Sequence, residues 1–530
     1  MHKLTKRRNF IKNIGITTIG IVSMGSLPSC KQVSPAKIDS PFTKLLRSSP
    51  EAQGVLSSAI TKFLKAVNES DLEFHSFMIV RNAHVIAEGW WSPFESSYKH
   101  TLYSLSKSFT STAIGMLSDD GKITIEDKVL SFFPNDAPEI ISDDLASMSI
   151  KHLLTMNSGH KTGTMPQMFE AEDGNYPKAF LKQTLSFKPG TKFLYNTGAT
   201  YMLSAIVNKV TGQDTFDFLT DRLFKPLNIT GADWQRDPKG ISVGGYGLRV
   251  KTEDIAKLGQ LYLQNGKWEG EQLLSETWIN EATKKQTDSN EGDSDWSQGY
   301  GYQFWRCKPE PGFYRGDGAF GQYCIVIPQK DTVIAITSES KDMGASMDLV
   351  WEHILPALDE KTEISKNEPS HTELLETIDS LSLAVLQLPT ASFAADKING
   401  KSYELKDNNV GAKKIKLDFN ENRCLATIDF GDISQTFTAG FGKWLIGNNN
   451  FQIDASPKTT MTSLNTKAAG CAGWKDEYTL VLNFKMVEGI HSELWTLIFE
   501  GGKLNVTFKS SNRILGNPDA DQSPWEGQLI

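Results

Sequence analysis

A serine and a lysine three residues apart, Ser104 and Lys107 in YSLSKSFTSTAIGMLSDDG (103–121), have the types and spacing for covalent catalysis. A serine hydroxyl is a poor nucleophile until a base takes its proton. On a helix, positions i and i+3 share a face, so Lys107 would lie one turn beyond Ser104. A lysine amine can act as that base when burial lowers its pKa toward neutrality. The positive end of the helix would favour negative charge developing at Ser104. The same residues also read as a helix cap followed by a solvated lysine, and these residues alone leave both readings open.

Context separates this pair from others with the same spacing. Ser34/Lys37 lies in the N-terminal tether, Ser96/Lys99 in a polar loop, and Ser338/Lys341 runs out of an apolar strand into ESKDMG. Of these pairs, Ser104/Lys107 opens a helical pattern. GISVG (240–244) matches a nucleophile elbow, which needs a strand before it and a helix after it. DWQRDPK precedes and GYGLRV follows, so Ser242 lacks that setting and the glycines shape a loop. GDGAFG (316–321) matches a dinucleotide fingerprint, but QYCIVIP follows as a strand and offers no helix N-terminus to a pyrophosphate.

The elements that must hold these residues alternate helix and strand. SFMIVRNAHVIAEGWW (76–91) reads as two strands around an Arg81–His84 turn. Phe109, Ala113, Met116 and Leu117 recur on one helical face, and Gly121 ends that helix. Helical runs follow at Thr200–Val210 and Thr252–Gln264, with strands at Tyr323–Pro328 and Val333–Thr337. Residues 46–358 therefore form an α/β or α+β domain. The charged stretch 359–397 is a linker with one possible helix near Glu373–Leu388. From 398 to 530 the texture becomes period-2, with Ile415, Leu417 and Phe419, then Leu480, Leu482 and Phe484, alternating with polar residues. That pattern predicts a small all-β sandwich or barrel, with Trp444, Trp474 and Trp495 read as core.

The chain has 530 residues, 39% hydrophobic and 22% charged, with a net charge of -8. That balance gives no basic footprint, which argues against a nucleic-acid partner. Nine histidines and five cysteines form neither His-Glu-x-x-His nor Cys-x-x-Cys, so no metal or cofactor is expected. Pairing among Cys307, Cys324, Cys424 and Cys471 stays open, as does the oligomeric state. Residues 1–30 read as an export signal and 31–45 as a tether. Arg7 and Arg8 precede a short apolar run and resemble a twin-arginine signal. LPSC (27–30) resembles a lipoprotein box, in which Cys30 becomes the acylated N-terminus. The expected setting is the periplasm or cell envelope, with the membrane met only through a lipid at Cys30.

YSLSKSFTSTAIGMLSDDGKITIEDKVLSFFP with SIKHLLTMNSGH resembles the serine β-lactamase-related hydrolases, the class C β-lactamase and penicillin-binding group. FKPGTKFLYNTGATYMLSAIVNKVTG, DWQRDPKGISVGGYGLRVKTEDIAKLGQLYLQNGKWEG and YGYQFW…GDGAFGQYCIVIP are similar to its 6-aminohexanoate-dimer hydrolase and esterase branch. The likeness runs from about 70 to 340. It implies an antiparallel sheet with a helical subdomain, and a C-terminal extension that resembles a lipocalin-like barrel. It makes Ser104 the acylated serine, Lys107 its activating partner and Tyr195 the second-motif tyrosine, with either Lys107 or Tyr195 as base. It puts Thr197 in the substrate site, makes Gly318 a point of close approach to substrate, and gives the Ser104 and Ala319 N–H groups to an oxyanion hole. Two places depart from the pattern: Thr197 stands where asparagine is usual, and Gly316-Asp317-Gly318 replaces a cationic third motif. The implied activity is hydrolysis of a small amide or ester through an acyl-enzyme. A β-lactamase or D-alanyl-D-alanine carboxypeptidase, and a catalytically idle binding protein, are its rivals.

Overall fold

The computed structural model describes residues 45–359, 363–453, 464–512 and 523–530. Its first layer is a seven-stranded sheet whose central order runs His84–Trp90, Phe74–Arg81, Thr332–Ser338, Gln322–Ile327 and Tyr314–Gly318, all antiparallel. The turn between the first two strands puts Asn82 and Ala83 at φ 49° and 60°, the two left-handed residues of a tight hairpin turn. FMIV (77–80) is continuously apolar because both sheet faces are covered. Met78 and Val80 face one core with the helices, whereas Phe77 and Ile79 face the other, beneath Ser57–Glu69.

The helices Ser106–Asp119 and Thr197–Thr211 pack together as the heart of the helical layer. Helix Thr252–Leu263 lies across the sheet. The 359–397 stretch carries its helix at Glu368–Asp379, earlier than the Glu373–Leu388 expected, because Asn367 caps it by accepting from the Ser370 N–H at 3.3 Å. This helix packs on Ser57–Glu69, and Leu374 joins that helix's core.

The C-terminal strands form one ten-stranded sheet. Ser434–Phe441 pairs in parallel with Leu464–Asp476 through Gly440↔Cys471 and Phe441↔Ala472, which closes the sheet into a barrel. Alternate residues fill the interior, among them Ile415, Leu417, Phe484, Trp474 and Trp495. Trp444 instead lies outside, donating its indole N–H to the Leu383 carbonyl at 3.2 Å. Cys307, Cys324, Cys424 and Cys471 are all free and buried.

Barrel and hydrolase domain share a buried seam. Phe94 meets Ala469 and Val487 there. Beside them Lys485 of the barrel donates to Glu73 at 2.5 Å and to Glu339 at 2.8 Å. Glu73, His75 and Glu339 bring one ligand atom each within 4.8 Å of one another, yet the Lys485 ammonium already sits between the two carboxylates. Burial pushes both carboxyls up, but Lys485 and the neighbouring histidines override it. Glu73 falls to about 2, and Glu339 is held below the usual carboxylate range.

Lys485→Met would leave two carboxylates facing each other inside the seam. The expected loss is about 3 kcal/mol, the low end for a broken buried pair, because Glu73 is 35% exposed and partly screened. Lys406→Met, at an exposed pair with Glu526, should leave denaturant unfolding unchanged. Equal midpoints for the two variants would refute the assignment.

Candidate active site

Ser104 sits on a single 3-10 turn, Tyr103–Leu105, and the α-helix proper begins at Ser106. The α-helix therefore starts about half a turn later than expected, beyond the serine. Ser104 is not the helix cap, a position held by Leu105. Tyr103 has φ 46°, a left-handed conformation that costs a non-glycine residue about 1–2 kcal/mol and re-aims the chain at Ser104.

Lys107, in the first turn of the helix, reaches back into this bend. Its Nζ lies 3.0 Å from Ser104 Oγ, 3.2 Å from Thr197 Oγ1 and 2.7 Å from the Gly245 carbonyl oxygen. All three partners are uncharged oxygens, and Lys107 is buried at 1% exposure. Withdrawal from water lowers its pKa from 10.5 to about 7, and the charge of Asp317 offsets only part of that. Gly245 is required at this point: a Cβ there would come within 2.6 Å of Thr197 Cγ2 and 3.5 Å of Lys107 Nζ.

Tyr195 approaches from the segment before helix Thr197–Thr211. Its ring faces Lys107 Nζ at 4.9 Å and stacks on Trp305 at 5.3 Å. Its phenol lies close enough to Ser104 for the serine to act on its acidity. Burial and then Asp317 raise its pKa far above the ordinary value, so the phenol keeps its proton at neutral pH. Asn196 fixes the corner by accepting from Thr164 and from the Gly198 N–H.

The third wall is the strand Tyr314–Gly318. Gly318 does face a close approach, but to the Tyr103–Leu105 turn: its Cβ would stand 2.0 Å from the Leu102 carbonyl oxygen. Gly316 likewise faces Leu105 and Ser108, at 2.4 and 2.5 Å from such a Cβ. Asp317 points to the opposite side, where Arg315 Nε and Trp296 Nε1 donate to it at 3.0 and 2.9 Å. Arg249 is similarly engaged with Asp233. Ala319 follows the strand, half-buried, at the hairpin bend beside Phe320 (φ 66°).

The structure thus gathers Ser104, Lys107, Tyr195 and Thr197, with Gly318 against the turn and Ala319 beside it. Ser242 is fully buried with its hydroxyl donated to Asp214 at 2.7 Å, a loop brace. A further Ser-x-x-Lys pair, Ser158/Lys161, is passed over by the sequence reading. Ser158 bonds His160 at 3.0 Å and Lys161 is exposed. Cys30 and Ser34/Lys37 lie outside the described residues. Gly245 escaped the sequence reading because its contribution is a carbonyl, which every residue has. Trp305 carried no spacing signal.

With this geometry in view, comparison with known proteins is direct. The Beta-lactamase family model matches residues 66–359. The chain is 26% identical over 285 residues to a 6-aminohexanoate-dimer hydrolase of Paenarthrobacter ureafaciens, covering 50% of this chain and 73% of that one. It is 25% identical over 170 residues to Protein flp of Staphylococcus aureus, of which it spans 33%. Among solved structures, a penicillin-binding protein homologue from Caulobacter crescentus gives a TM-score of 0.48 at 14% identity, covering 57% of this chain and 97% of that one. An octameric homologue from Pyrococcus abyssi gives 0.46 at 15%, covering 89% and 99%.

Gly318→Ala tests the packing of the strand on the nucleophile turn. Its methyl must push Leu102 and the hairpin apart, which should cost about 1–3 kcal/mol of stability and roughly a hundredfold in turnover through misplacement of Ser104. A variant with wild-type melting temperature and activity would remove this contact from the account.

Proposed function

The chain belongs to the beta-lactamase family, and from that membership we propose an exported serine hydrolase that cleaves an amide or ester through an acyl-enzyme on Ser104. The observation that carries the proposal is Lys107 Nζ at 3.0 Å from Ser104 Oγ with its pKa lowered to about 7. A neutral amine has two N–H groups and one lone pair. The N–H groups suit the Gly245 carbonyl and Thr197 hydroxyl, which leaves the lone pair for the Ser104 proton.

Lys107 takes the Ser104 proton as Oγ attacks the substrate carbonyl carbon, and negative charge moves to the carbonyl oxygen. The N–H groups of Ser104 and Ala319 receive that oxyanion. Collapse breaks the bond to the leaving group, which takes the proton from Lys107. A water then attacks the ester on Ser104, with Lys107 again accepting a proton and returning it to Oγ. Tyr195 stays protonated beside Ser104 and Lys107, because burial holds its pKa high. This favours Lys107 over a tyrosinate as base.

Substrate charge follows from the third wall. Penicillins and cephalosporins carry a carboxylate, and the strand position for a cationic partner is Gly316, filled by Leu105 and Ser108 packing. Arg315 is committed to Asp317. A charged hydrogen bond contributes about 1.5–3 kcal/mol, so its loss favours uncharged short-chain esters or amides. Export with lipid attachment at Cys30 belongs to the same proposal. Cys30→Ala should move the protein from the membrane fraction to the soluble one, and unchanged membrane association would refute lipidation.

Ser104→Ala should abolish turnover and the covalent mass shift. An adduct mapped to Ser242 would overturn the assignment. As pH falls through about 7, Lys107 gains its proton and kcat/KM should fall with it. An acid limb near the ordinary lysine range would mean that burial does not depress Lys107, and the absence of any acid limb would mean that Lys107 is not the base. Higher kcat/KM on a cephalosporin than on a p-nitrophenyl ester would replace the esterase or amidase reading with a β-lactamase.

A further inference from the structure

Beyond the hydrolase domain, one barrel side chain reaches the nucleophile turn. The hairpin joining Thr479–Met486 to Ser492–Glu500 is closed by the Met486 N–H donating to the His491 carbonyl at 2.9 Å. Its end presents His491, 7% exposed, to the residue that precedes Ser104. Tyr103 OH and His491 Nε2 are 2.7 Å apart, and His491 Nδ1 lies 2.8 Å from Glu339 Oε1. A carboxylate only accepts, so Nδ1 carries the hydrogen toward Glu339. Nε2 is then the acceptor for the Tyr103 hydroxyl. Glu339 is itself held by Lys485 and by the Ser511 hydroxyl. The imidazole also stands edge-on to Phe320 at 4.9 Å, and Phe320 meets the Tyr103 ring at 5.5 Å. His491 therefore touches both sides of the reacting serine's surroundings: Tyr103 before Ser104, and Phe320 after Ala319.

Tyr103 needs such a hold. Its left-handed backbone is disfavoured for a residue with a Cβ, and such conformations persist where the surroundings over-determine them. Rotation of Tyr103 toward an ordinary φ would swing Ser104 Oγ away from Lys107.

We infer that His491 is a positioning residue for Ser104, supplied by the C-terminal barrel and acting through the Tyr103 hydroxyl, so that the barrel is a working part of the active site. The inference rests on Ser104 being the nucleophile. His491 touches no reacting atom. It fixes the bend from which Ser104 projects, and Glu339 fixes the tautomer in which His491 can do so.

The test uses the full chain with three single variants and the double Tyr103→Phe/His491→Leu: Tyr103→Phe removes one oxygen, His491→Leu removes both imidazole bonds, and His491→Gln has an amide that can still meet Tyr103. Ester turnover, labelling of Ser104 by a fluorophosphonate followed by intact mass, and melting temperature are measured for each. In Tyr103→Phe and His491→Leu, kcat and labelling rate should fall roughly tenfold with KM little changed, since positioning acts on the reacting bond. The double variant should be no worse than the poorer single one, because both remove the same hydrogen bond. His491→Gln should recover most of the loss. Wild-type kcat and labelling in Tyr103→Phe, or no recovery in His491→Gln over His491→Leu, would overturn the inference. A wild-type chain that is never labelled at Ser104 would instead overturn the acyl-enzyme reading, and this inference with it.

Discussion

A buried amine held only by neutral oxygens is the constraint on which the site depends. Taking a lysine out of water disfavours its charged form, and the protein supplies no carboxylate among the three hydrogen-bond partners of Lys107 to restore it. What it supplies is directional. Thr197, at the start of one helix, and the Gly245 carbonyl, in a loop with no room for a side chain, fix two of the amine's three directions. The third points at Ser104. The polarity of the pocket is thus tuned by withholding a counter-charge, while Asp317, the nearest acid to act on Lys107, is drawn off by Arg315 and Trp296.

The seam with the barrel obeys the opposite rule. There Lys485 is equally buried, yet two carboxylates raise its pKa and keep it charged. These two buried lysines, one paired with acids and one held by neutral oxygens, therefore have opposite protonation behaviour. The charged one locks two domains and the depressed one stands beside the serine. Burial alone does not tell them apart; partner chemistry does.

Much of this was legible beforehand, and the residues show why. The Ser104 helix, the sheet strands and the alternating barrel strands follow from periodicity, which local sequence carries directly. Ser104, Lys107 and Tyr195 were found by motif order along the chain, and the structure brings them together. The finer placement was not legible. Ser104 looked like a helix start because the 3-10 turn and the helix share one polar-then-apolar pattern. The left-handed φ of Tyr103 leaves no trace in a sequence that has tyrosine there in place of glycine. Gly318 was read as making room for substrate, whereas it makes room for the Leu102 carbonyl. A glycine announces a close approach without naming what approaches. Contacts between residues nearly 400 positions apart, such as Tyr103 with His491, have no local signature at all.

Those long-range contacts change how the two glycines of the third strand are understood. Gly316 and Gly318 let the strand lie directly on Leu105, Ser108 and the Leu102 carbonyl, so the turn that carries Ser104 is clamped from the strand side. Tyr103, in that same turn, is held from the barrel side by His491. A cationic side chain at 316 would require the strand to stand off from the serine helix, and the clamp would be lost. The missing third-motif cation and the close packing of the turn are therefore one structural choice. Packing that holds the Ser104 turn this closely leaves no room at 316 for any side chain beyond glycine.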